Sequence, residues 1–62
     1  MKQQQPDEML SILEGMGFDV SIKGESFYVP IRQSDHNLLN AQLDKYGWKA
    51  NRDNKFIKIE EQ

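Results

Sequence analysis

Apolar residues near the start of the chain fall three and four apart: Met9, Leu10, Ile12, Leu13 and Met16. That spacing predicts a helix from about Pro6 to Met16 with one stripe turned inward. Pro6 suits the first turn, where a missing N–H is no loss. Asp7 and Glu8 follow it, where the helix dipole favours anions. Gly17 is the expected left-handed stop. At Phe18 the period changes to two. Phe18, Val20 and Ile22 are expected on one face of a strand, with Asp19, Ser21 and Lys23 on the other. Lys23-Gly24-Glu25 reads as a turn. Ser26 to Ile31 then resumes the alternation, with Phe27, Val29 and Ile31 inward. Pro30 has no N–H to give a ladder, so the strand should end there or leave that side as an edge.

The second half repeats the plan. Ser34 or Asp35 can cap a helix whose apolar face is Leu38, Leu39, Ala41, Leu43 and Tyr46, closed by Gly47. Trp48 and Ala50 open a third strand, Arg52-Asp53-Asn54-Lys55 turns, and Phe56 to Glu60 forms a fourth with Ile57 and Ile59 inward. Leu13, Met16, Gly17 and Phe18 recur thirty residues later as Leu43, Tyr46, Gly47 and Trp48. Ancestral duplication, or the shared needs of two helix-hairpin units, accounts for the echo. The order is α-β-β-α-β-β. The fold class that buries both stripes is α+β, with two helices packed on one face of a four-stranded, mostly antiparallel sheet. This resembles a circularly rearranged ferredoxin-like layer, with the strand order left open. Residues 1–5 read as a disordered tail and 6–60 as a single domain, with tandem units at 6–31 and 35–60. The final acidic residues read as loose.

Size and composition narrow the classes. Sixty-two residues make one domain, and a chain this short buries only about 60% of its unfolded surface. There is no cysteine and one histidine, so neither a disulfide framework nor a dedicated metal site is expected. No apolar run resembles a signal peptide or a membrane span, and a soluble cytoplasmic protein is the expectation. The net charge of −2 is unevenly spread. Asp7, Glu8, Glu14 and Asp19 crowd the first third, whereas Lys45, Lys49, Arg52, Lys55 and Lys58 outnumber Asp53 later. Opposed patches suit phosphate, a charged protein partner or head-to-tail contact equally.

Candidates for chemistry are few. His36 falls in the first turn of the second helix beside Asp35, a carboxylate able to orient an imidazole. An exposed histidine at a helix start is nonetheless ordinary. No serine sits in a nucleophile elbow, and the paired carboxylates Asp7-Glu8 and Glu60-Glu61 lie at chain ends, outside any cleft that would separate and desolvate them. Gly15-Met16-Gly17 ends a helix where a dinucleotide fingerprint would open one. No enzyme activity, cofactor, metal or small-molecule substrate is expected. In Leu13, Gly17, Phe18, Lys23, Gly24, Ser26, Val29 and Pro30 the chain resembles the HicA family of small mRNA-interfering toxins. The resemblance implies a catalytic histidine in the first hairpin. Here that hairpin reads Gly24-Glu25-Ser26-Phe27, so the activity is not carried over.

The alternation makes a sharper statement about binding. With Phe18, Val20, Ile22, Phe27, Val29, Ile31, Trp48, Ala50, Ile57 and Ile59 facing the helices, the opposite face is set. It carries Asp19, Ser21, Lys23, Ser26, Tyr28, Lys49, Asn51, Phe56 and Lys58. Candidate binding residues are Lys23, Tyr28, Lys49, Asn51, Phe56 and Lys58. Aromatic anchors inside a polar rim are the usual make-up of an interface. The expectation is a small non-enzymatic binding or regulatory protein (an inhibitor, adaptor or homodimer) acting through protein-protein recognition. The alternative is single-stranded nucleic acid, its bases stacked on the aromatics and its phosphates held by lysines.

Overall fold

The computed structural model describes residues 5–62. Helix α1 (Pro6–Gly15) leads through an extended segment to β1 (Ser21–Lys23) and β2 (Ser26–Pro30). A 3-10 turn (Ile31–Gln33) precedes α2 (His36–Asp44), followed by β3 (Trp48–Asp53) and β4 (Phe56–Glu61). The strands form one antiparallel sheet in the order β1-β2-β4-β3. The α-β-β-α-β-β order and the α+β class are therefore those expected. Among the described residues, no helix is long and apolar enough to cross a membrane.

The thirty-residue echo is structural. Both hairpins turn on two residues, since Lys23 pairs with Ser26 and Asp53 with Phe56. The first loop position has positive φ in each, 63° at Gly24 and 59° at Asn54. Glycine takes that region without penalty, and asparagine is among the few other residues that visit it. At the centre, Phe27 meets Ile59, Val29 meets Ile57 and Tyr28 meets Lys58. Ile57 and Ile59 are the counterparts of Phe27 and Val29, so exchanging the two units leaves the pairing unchanged. A local twofold axis passes through the sheet between Tyr28 and Lys58. This is the isologous arrangement of a symmetric dimer, written in one chain.

The core obeys the same symmetry. Met9, Leu13, Phe27 and Val29 are buried, as are their counterparts Leu39, Leu43, Ile57 and Ile59. The helices end alike: the Gly17 N–H bonds the Glu14 carbonyl and the Gly47 N–H the Asp44 carbonyl, both at 3.0 Å. Trp48 is wholly buried, and its ring stacks on Phe27 with centroids 5.6 Å apart and planes 14° from parallel. That contact ties the two units together, because each ring belongs to a different one.

Symmetry fails where Pro30 stands. In the register, position 30 turns its backbone toward β1, opposite Asp19. Proline has no N–H, so the ladder cannot extend to that residue. The counterpart pair, Lys49 and Glu60, has both amides and is in register. Asp19 is held by Gln33 instead, its backbone N–H donating to Oε1 at 2.9 Å and its side-chain Oδ2 accepting from Nε2 at 3.0 Å. The expected first strand, Phe18 to Lys23, is thus shortened to Ser21–Lys23, while Phe18 and Val20 pack half-buried against the core.

Other expectations are corrected by the same margin effects. Ile22 lies on the helix-side face but is 62% exposed, because β1 is an edge strand that α1 does not cover. Ile31 leaves the strand for the 3-10 turn and packs half-buried on the core, its N–H bonding the Lys55 carbonyl. Leu38 and Ala41 are exposed, so the inward stripe of α2 is Leu39 and Leu43, flanked by Tyr46. Met16 is exposed and lies just beyond α1. Asp35, not Ser34, caps α2, accepting the Asn37 N–H at 2.8 Å. The end of the chain is held: the Gln62 side chain donates to Asp44 and to the Trp48 carbonyl. Of the expected tail, residues 1–4 lie outside the described residues. Gln5 is the N-cap of α1, and its carbonyl accepts the Met9 N–H at 2.8 Å.

Candidate binding face of the sheet

Both helical stripes are buried against one face of the sheet, and the described residues place no layer on the other. The register arranges the uncovered face in three rows across the strands. Lys23 and Ser26 share a row with Glu60 and Lys49. Ser21, Tyr28, Lys58 and Asn51 form the middle row. Pro30, Phe56 and Asp53 form the third. All six candidate residues, Lys23, Tyr28, Lys49, Asn51, Phe56 and Lys58, therefore share one face.

Backbone pattern decides which of them touch. Tyr28 faces Lys58, and Pro30 faces Phe56, across the closely spaced, non-hydrogen-bonded positions of an antiparallel pair, where side chains approach most. Tyr28 and Phe56 then lie diagonally, and their rings meet edge to face, 6.4 Å apart at 89°. Such pairs are worth about 0.5–1.5 kcal/mol beyond buried area. Phe56 remains 44% exposed. An open depression of about 330 Å³ is lined by Ser21, Ile22, Lys23, Tyr28, Asp53, Asn54 and Phe56.

The charges on this face are interleaved. Lys58 Nζ lies 3.7 Å from a Glu60 carboxylate oxygen, and Glu60 is also the register partner of Lys49. Asp53 borders Phe56. Glu60, Pro30 and Asp53 were absent from the candidate set. Glu60 shares the parity of Lys58 and Phe56 along β4, a signal sufficient to have placed it there. Pro30 and Asp53 needed the strand order. His36 lies half-buried in the first turn of α2, and the neighbouring Asp35 side chain holds the Asn37 N–H. Among the described residues no group of three or more His, Cys, Asp or Glu side chains is placed to hold a metal ion.

No protein-family model, no curated protein and no solved structure matches this chain.

Proposed function

We propose that this protein acts by binding another protein through the uncovered face of its sheet, with Tyr28 and Phe56 as anchors and no chemical step of its own. The observation that supports it is the edge-to-face aromatic pair, with Phe56 44% exposed, set among charges of both signs. Aromatic side chains inside a mixed rim lose little conformational entropy on docking and gain contact area and specificity. An anionic strand is the weaker fit. Lys58 is already paired with Glu60, and Asp53 stands beside the aromatic that would stack a base. Neutralising phosphates requires uncompensated cations, which this face does not concentrate.

The test is affinity capture with quantitative mass spectrometry, run in parallel with Tyr28→Ser and Phe56→Ser proteins. A partner recovered by the original chain should fall away with either variant, each losing about 2 kcal/mol as an interface anchor, while helical circular dichroism stays unchanged. Recovery indifferent to both substitutions overturns the reading. A gel shift on mixed single-stranded oligonucleotides at low salt, abolished by Phe56→Ser, transfers it to nucleic acid. Unfolding of both variants would show that these rings belong to the core.

A further inference from the structure

The two margins of the sheet differ. At the start of β3 two outward backbone groups are occupied from within: the Ala50 N–H donates to Asn40 Oδ1 at 2.9 Å, and the Trp48 carbonyl accepts from Gln62 Nε2 at 3.0 Å. At β1, Lys23 and Ser26 flank a two-residue turn and must be a hydrogen-bonded pair, so Ile22 points its N–H and carbonyl away from β2. No described residue bonds to them. Among the described residues Ile22 is also the most exposed large apolar one, at 62%. An uncovered edge of this kind is a template for a further strand.

Beside that edge, on the helix side of the sheet, lies a groove of about 300 Å³. Leu10, Ile22 and Phe27 supply apolar wall, and Asp7, Glu25 and Glu61 supply three exposed carboxylates. Side chains of an added strand would alternate between this groove and the outer face. Those entering the groove would meet apolar wall beside Ile22 and negative charge about two residues away along the strand. A second copy of the chain would bring its own carboxylates against these, so the rim disfavours self-pairing and favours a cation.

We propose that β1 is the docking edge for an extended segment of a partner protein, added as a fifth strand. The segment carries an apolar side chain for the groove and a Lys or Arg two residues from it. Main-chain hydrogen bonds to Ile22 supply the attachment, and the pocket and its carboxylates supply selectivity, the usual division in strand addition. The site adjoins the Tyr28–Phe56 depression at Ile22, but its argument does not rest on that pair.

The probe is an acetylated, amidated heptapeptide, Thr-Arg-Thr-Ile-Thr-Arg-Thr, whose symmetry permits either strand direction. It is titrated at low salt into the full chain followed by amide NMR. The expected result is slowed exchange of the Ile22 N–H with shifts confined to β1, Leu10 and Phe27. The same peptide with Glu for Arg should bind about tenfold more weakly. Ile22→Pro removes the outward N–H and should abolish binding. Because proline can disturb the hairpin, Asp7→Lys with Glu61→Lys is the second variant: both sites are exposed, and the preference between the two peptides should reverse. Absence of shifts, equal affinity for both peptides, shifts centred on Tyr28 and Phe56, or self-association through Ile22 would each overturn the proposal.

Discussion

Trp48 carries more of the fold than any other side chain. It is the largest wholly buried residue, and its ring lies flat on Phe27 of the other unit. Trp48→Ala should cost about 3–5 kcal/mol, a loss close to the whole stability of so small a domain. Urea unfolding followed by circular dichroism measures it, and a midpoint barely moved would show that the stack is dispensable. At this scale the sequence was legible wherever strand parity alone decides orientation. Tyr28 and Phe56 face away from the helices, and Phe27, Val29, Ile57 and Ile59 face toward them, because successive side chains in these unbulged strands point to opposite faces. Ile22 obeys the same parity and is still exposed. Parity sets the face of a residue, whereas burial depends on what lies over it.

Among the elements, β1 shows how a single residue sets a strand's length. It has three residues and its counterpart β3 has six. The difference follows from Pro30, which offers Asp19 no donor, while Glu60 offers one to Lys49. Pro30→Val should therefore extend the ladder. Hydrogen exchange should find the new N–H at position 30 protected and the Asp19 amide released from Gln33; an unprotected amide at position 30 would mean that Gln33, not the proline, ends the strand. The sequence announced that Pro30 would limit a strand but not which neighbour would be shortened. Likewise the bonds from Gln33, Asn40 and Gln62 to distant backbone groups had no local signature. Each spans at least ten positions and exists only once the sheet order β1-β2-β4-β3 is in place.

At the level of the molecule, the two helix-hairpin units are not two domains. Their central strands are paired in register and their aromatic rings are stacked, so neither can lose its packing alone. Trp48 fluorescence and far-ultraviolet circular dichroism should give superimposable melting curves, the mark of one cooperative transition. Two separated steps would mean that the units are independent. The repeat in sequence forecast this plan, since equal spacing of glycines and apolar positions implies equal supersecondary units. It could not forecast that the units would close on each other about an axis, or that side chains would occupy the start of one margin. That occupancy gives assembly a direction. A newcomer beside Trp48 and Ala50 would have to displace the bonds from the Gln62 and Asn40 side chains, whereas beside Ile22 it would displace none, so the first addition is directed to that side.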